Sequence, residues 1–204
     1  MFALVESGTI TQFPKGNKGI TIGDNQYPQS IYTVWTEAER NAIGIYTVTI
    51  DNTNRKDEAF YINTDVTYTF TGSAVTGTYG TATAKQLADT NAVDEDGNNL
   101  LDADGNQVIN YGLKTKYKNK FNSQAAGLLA KTDWYVIKAA DVTDYNVPSN
   151  VATYRAAVRT KVNAMETSID NCADVEALKT LLTYTEDSEG VISRPLGEFP
   201  DEVV

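Results

Sequence analysis

The sequence predicts an α+β fold: an N-terminal, mainly antiparallel β domain with one short helix, then a C-terminal helical hairpin or small bundle. Three observations predict it. Up to about residue 112 the apolar residues alternate with threonine in short runs broken by Gly and Asn, the two-residue period of a strand. From Lys116 onward they recur every three or four residues, the period of an amphipathic helix. Between the two lies a polar stretch, residues 89–110, rich in Asp, Asn and Gly. The expected organisation is a β-rich domain over 1–112 that includes those polar turns, a helical domain over 113–185, and an extended tail over 186–204.

Residues 1–30 read as an irregular lead-in with short strands at Thr9-Ile10-Thr11 and Ile20-Thr21-Ile22, and a turn at Gly23-Asp24-Asn25. Thr36-Glu37-Ala38-Glu39 is a capping box, in which the Thr36 hydroxyl takes the Glu39 amide and the Glu39 carboxylate reaches back. The helix it starts runs to Ile43, and Gly44 suits the left-handed residue that closes it. Ile45–Ile50 follows as a strand with Tyr46, Val48 and Ile50 on one face. Further strands are expected at Ala59–Ile62, at Asp65–Thr71 (Val66, Tyr68 and Phe70 inward) and at Val75–Ala84, the last loosened by Gly77 and Gly80. Threonines opposite the aromatic faces imply sheets with one wet side, the antiparallel habit.

In the second half Tyr117, Phe121, Gln124 or Ala125, and Leu128 form one helical stripe, and Trp134-Tyr135-Val136-Ile137 is apolar. Val151, Tyr154, Val158, Val162, Met165 and Ile169 give the clearest helical period, with Ser149 or Asn150 as N-cap. A shorter helix runs from Asp174 to Leu182. The expected core is Tyr46, Val48, Ile50, Phe60, Ile62, Tyr68, Phe70, Leu128, Trp134, Tyr154, Val158, Val162 and Met165.

With 204 residues, 41% of them hydrophobic, the chain can bury a real core. Seventeen basic residues against 27 acidic give a net charge of −10, which repels phosphate. Lys114, Lys116, Lys118 and Lys120 fall on alternate positions, so a helix spreads them round its circumference; they read as a solvated helix start, and no nucleic-acid partner is expected. No apolar run approaches the roughly 20 residues that span a bilayer, so no membrane insertion is expected. Met1–Glu6 lacks the features of a signal peptide, which implies synthesis in the cytoplasm. The chain has one cysteine, Cys172, and no histidine. That composition removes an intrachain disulfide, Ser-His-Asp and Cys-His catalysis and nearly every zinc site. Neither enzymatic activity nor a cofactor is expected.

Asp94-Glu95-Asp96-Gly97-Asn98 and Asp102-Ala103-Asp104-Gly105-Asn106 are similar acidic turns. Asp-Gly and Gly-Asn supply the positive φ of hairpin turns. The same oxygens make Asp94, Asp96, Asp102 and Asp104 a calcium candidate, although the full EF-hand pattern is missing. Arg155 and Arg159 share a helix face and are either a partner-binding stripe or the cation of an internal pair with Asp133, with Trp134 beside the arginine stems. Short helices cannot cover both apolar stripes, so Tyr117, Phe121, Leu128, Trp134, Arg155 and Arg159 form the candidate partner-binding set, with residues 89–110 as a polar spacer. Trp35, Tyr27, Tyr32 and Tyr46 form either a sugar-stacking platform or aromatic packing.

Tyr27-Pro28-Gln29-Ser30-Ile31 followed by Trp35-Thr36-Glu37-Ala38-Glu39-Arg40-Asn41-Ala42-Ile43-Gly44-Ile45 is similar to an N-terminal module of phage tail and tail-fibre-region proteins. Leu128-Leu129-Ala130-Lys131-Thr132-Asp133-Trp134 with Tyr154-Arg155-Ala156-Ala157-Val158-Arg159 resembles the phage tail assembly chaperone family. The resemblance implies a non-enzymatic bacteriophage tail component, associated with the tail fibre or baseplate. It further implies other tail or fibre proteins as partners, homo-oligomerisation within the tail, and a place in the virion after synthesis in the host cytoplasm. It leaves two alternatives open: a tail-fibre assembly chaperone absent from the mature particle, and a tail protein that binds host glycan.

Overall fold

The computed structural model describes residues 1–203. Its contacts divide the chain into two compact units, one ending at Thr83 and the other beginning at Ala84.

The first unit is built on a five-stranded sheet of β1 (Phe2–Glu6), β2 (Thr9–Gln12), β5 (Ile45–Asp51), β7 (Val66–Phe70) and β8 (Val75–Tyr79), in the order β2-β1-β5-β8-β7. Three of its four pairings are antiparallel, as expected. The fourth is not: β5 and β8 run parallel, Val48 opposite Val75 through Asp51 opposite Thr78. A parallel pair needs a crossover. Here the chain makes it through β6 (Tyr61–Ile62) and β7. A separate hairpin, β3 (Ile20–Ile22) with β4 (Asn25–Tyr27), forms at the expected turn.

β1 is the largest departure from the sequence reading, because a strand expected only as lead-in is central and pairs on both sides. Successive strand residues point to opposite faces, so β1 feeds two cores. Leu4 joins Ile20, Ile31, Tyr32 and Ile45 on one face; Ala3 and Val5 join Val48 and Val75 on the other, where Tyr46, Tyr68 and Phe70 pack over them. The sheet is therefore covered on both sides near β1, while Thr47, Thr49, Thr67 and Thr69 remain exposed. Phe13, just after β2, lies against Tyr68 of β7 with ring centroids 4.6 Å apart, drawing the two sheet edges together. Ile50 and Ile62, expected in the core, are exposed. Ile62 follows the buried Tyr61 in a two-residue strand and therefore points to the opposite, open side.

α1 (Glu37–Ala42) begins with the capping box in full: Glu39 N donates to Thr36 Oγ1 at 3.3 Å and Thr36 N donates to Glu39 Oε2 at 2.8 Å. The bonds from the Thr36 backbone and hydroxyl hold the Glu39 carboxyl below the usual carboxylate range. Gly44 follows with φ +82°.

In the second unit α2 (Leu113–Ala130) and α4 (Ser149–Asp170) lie antiparallel as a helical hairpin. The pairing can be followed along its length: Lys118 Nζ to Asp170 Oδ1 at 2.9 Å, Asn122 Nδ2 to Glu166 Oε1 at 2.6 Å, and Arg155 to Leu129 O at 2.8 Å. Two of the four alternating lysines thus have internal work, since Lys114 Nζ also donates to Asp170 O at 2.9 Å. All six α4 positions picked out by their spacing are buried. The N-cap is Pro148, with no side-chain cap, in place of the expected Ser149 or Asn150. α5 (Val175–Leu182) starts on Asp174, whose carboxylate accepts from Ala177 N at 2.8 Å.

Residues 89–110, expected as a polar spacer, belong to the same unit as the helices and are fastened to α2. Asp89 accepts from Gly112 N at 2.7 Å and from the Thr115 hydroxyl at 2.9 Å, capping the helix from a distance. A side chain at Gly112 would lie 2.4 Å from Ala88 O, so only glycine fits this approach. The segment is an internal repeat of eight residues: Asn91-Ala92-Val93-Asp94, Asn99-Leu100-Leu101-Asp102, and Gln107-Val108-Ile109-Asn110. Backbone bonds close it into a ring, Ala92 N to Val108 O, Val108 N to Leu100 O, and Leu100 N to Ala92 O, at 2.8 to 2.9 Å. Gln107 Nε2 sits on this ring, 2.9, 3.2 and 2.8 Å from the carbonyls of Ala92, Leu100 and Val108. Each of those carbonyls keeps its ring amide, so Gln107→Ala removes only the second donor and should cost about 0.5–1.5 kcal/mol. Hydrogen exchange at the Ala92, Leu100 and Val108 amides should rise together; unchanged protection would mean that the ring stands without the amide.

The tail is not loose. β12 (Thr185–Glu186) and β13 (Ile192–Ser193) form a hairpin, and Leu196 is buried with its N–H on Leu181 O. Lys161 Nζ donates to Leu196 O at 2.8 Å, and Lys131 pairs with Glu202 at 2.6 Å. The Arg194 guanidinium lies over the rings of Phe121 and Tyr184, 5.2 and 4.9 Å from their centroids.

Candidate docking surface

The residues singled out for partner binding separate into two groups. Phe121, placed on an outward stripe, is 1% exposed and belongs to the core, while Tyr117 and Leu128 are half-buried. Arg155, placed at a rim, is 8% exposed. Its guanidinium donates to Leu129 O at 2.8 Å and to Thr132 Oγ1 at 2.7 Å, and pairs with Asp133 Oδ1 at 2.8 Å. The rigid fork of arginine suits three acceptors held this way. Thr132, fully buried, donates a hydrogen bond from its own hydroxyl to Leu129 O at 2.9 Å. One side chain of α4 thereby ties the end of α2 to the start of α3 (Asp133–Asp141). Leu129, Thr132 and Asp133 in one quoted motif and Arg155 in the other are two halves of this clasp. Arg159, one turn further along, is exposed and makes no ion pair among the described residues.

Beyond the clasp, α3 buries no residue. Trp134, expected in the core, is 50% exposed, Ile137 is 66% exposed, and Val136 and Val142 are also exposed. The Trp134 ring packs on Tyr135, centroids 3.9 Å apart, and Lys138 Nζ lies 5.6 Å from the Trp134 centroid and 4.3 Å from that of Tyr145. An isolated helix shorter than about 12–15 residues is marginal in water. This nine-residue helix contains the β-branched pair Val136-Ile137 and buries none of its residues. Contiguous apolar surface of this kind marks interaction sites. Its signal lay in the sequence as the run Trp134–Ile137, where the helical period puts apolar groups on both sides and leaves no polar face.

The acidic turns resolve as turn chemistry. Asp94 Oδ1 accepts the amides of Asp96 and Asn98 at 3.0 and 2.8 Å, and Asp102 Oδ1 those of Asp104 and Asn106 at 2.9 and 2.8 Å. Those bonds, chiefly from the Asn98 and Asn106 backbones, hold both carboxyls below the usual range. A third copy, missed in the sequence, is Asp187-Ser188-Glu189-Gly190-Val191, with Asp187 Oδ1 accepting from Glu189 and Val191 at 2.9 Å. Gly97, Gly105 and Gly190 all carry φ near +81°. Among the described residues no three Cys, Asp or Glu side chains gather as a metal site, and Asp94, Asp96, Asp102 and Asp104 are no exception. The four aromatics of the candidate sugar platform are also dispersed. Tyr27, Tyr32 and Trp35 pack in one core, and Tyr46 on the opposite face of the sheet.

The described residues form a cleft of about 420 Å³ between residues 12–20 and Tyr32, and a second of about 420 Å³ between the start of α4 and residues 200–203. An open one of about 560 Å³ lies at Asn52 and residues 55–58, where Arg55 is paired with Glu58 at 2.9 Å. The first carries Lys15 and Lys18 with no acid in its wall, and the second is mainly apolar. Neither assembles an acid and a base. No protein-family model, curated protein or solved structure matches the chain. The likeness to phage tail modules rests on the quoted motifs alone.

Proposed function

We propose that this chain is a non-enzymatic structural or adaptor component of a bacteriophage tail, associated with the fibre or baseplate, and that it docks through its helical unit. The observation that carries the reading is α3, a helix clasped at one end by Arg155 and leaving Trp134, Val136 and Ile137 uncovered. Burying one such side chain contributes about 1.5–3 kcal/mol, so a partner laid over the three gains enough to bind. The quoted motifs supply the phage context. They are shared by permanent tail proteins and by fibre assembly chaperones, which makes the chaperone the second reading.

Mass spectrometry of purified virions separates the two. The chain is expected at a fixed ratio to the tail proteins. Absence from the particle, with presence in the infected-cell lysate, supports the chaperone instead.

A further inference from the structure

We propose that the partner of α3 is a different protein chain, one that meets it with an apolar face flanked by lysine or arginine; this rests on reading α3 as a docking surface. Trp134, Ile137, Lys138 and Asp141 lie at i, i+3, i+4 and i+7, on one side of the helix. The stripe is polarised. Its N-terminal end is apolar, and its C-terminal end carries Asp141, with Asp144 just beyond; among the described residues neither makes an ion pair. The carbonyl end of the helix adds partial negative charge there. Lys138 Nζ lies over the rings of Trp134 and Tyr145 and, among the described residues, makes no ion pair with either carboxylate.

A second copy of the chain fits poorly. A twofold antiparallel pairing of the stripe sets Trp134 against Asp141 of the other copy, and a parallel one sets Asp141 against Asp141. Two chains of net charge −10 also repel at long range. A cationic apolar face satisfies both ends at once. Affinity then comes from Trp134 and Ile137, and the carboxylates contribute attraction and orientation, weakened by salt.

The test uses the full chain and two synthetic amphipathic helical peptides with identical apolar residues, one flanked by lysines and one by glutamates, followed by amide chemical shifts. The lysine peptide should shift residues 133–145 with a Kd about tenfold below that of the glutamate peptide at low salt. The double variant Asp141→Asn, Asp144→Asn should remove most of that difference, and Ile137→Glu should abolish binding of both peptides. Equal binding, or a preference that survives the double variant, overturns the charge inference while leaving α3 as a docking surface. No shift of α3 with either peptide overturns the docking reading itself. Concentration-dependent protection of α3 without peptide identifies a second copy as the occupant and overturns the proposal.

Discussion

Replacing Phe121 with alanine is expected to cost about 3–5 kcal/mol of stability, a large part of the roughly 5–15 kcal/mol that holds a typical domain. The ring is almost completely enclosed on α2 where it faces α4. It is also the seat of the Arg194 guanidinium, which pairs in turn with Glu198 at 2.7 Å. Its loss therefore removes core packing and loosens residues 184–198 together. Phe121→Leu keeps most of the volume and should cost less than about 1.5 kcal/mol. Urea unfolding of the full chain reads the first effect, and exchange of the Leu196 amide, bonded to Leu181 O, reads the second. An alanine variant within about 1 kcal/mol of wild type would return Phe121 to the surface stripe that its spacing first suggested.

Arg155→Ala is the second large effect. It takes one donor away from Leu129 O and from the buried Thr132 hydroxyl, which still bond to each other, and leaves Asp133 without its cation. Asp133 is half exposed and regains water, so the cost rests on the lost charge-assisted hydrogen bonds and is about 1.5–3 kcal/mol. Arg155→Lys keeps the charge but not the fork and should lie between the two. The distinguishing readout is local. Because α3 buries nothing of its own, amide exchange over residues 133–141 should rise well beyond the change in global stability. Exchange in α3 that merely follows global unfolding contradicts the clasp.

Local chemistry was the part of this fold legible in the sequence. The capping box at Thr36, the α4 period from Val151 to Ile169 and the hairpin turns all depend on neighbours within a few residues, and each appears as read. Long-range pairing was not legible. β1 becomes central through partners in β2 and β5, and the parallel β5–β8 pair is set by a crossover that no local period encodes. For the same reason Asp89, twenty-three positions before Gly112, was not visible as the cap of α2. Periodicity alone also misjudged which apolar stripes are covered. Phe121, read only on the partner-binding stripe, is buried, and Trp134, read both in the core and in that set, is half-exposed, because burial depends on what packs opposite. For Arg155 itself the residue pair was right, and the internal reading of it holds.

Ile137→Glu offers the most direct test of α3 as the docking surface. The side chain is largely exposed, so the purified variant should keep the unfolding midpoint of the wild type. Quantitative mass spectrometry of particles assembled with each form should then find the wild-type chain at a fixed ratio to the tail proteins and the variant reduced at least about tenfold, the effect of roughly 1.4 kcal/mol. A folded Ile137→Glu chain incorporated as well as the wild type would contradict the assignment of α3 as the surface through which this protein joins its assembly.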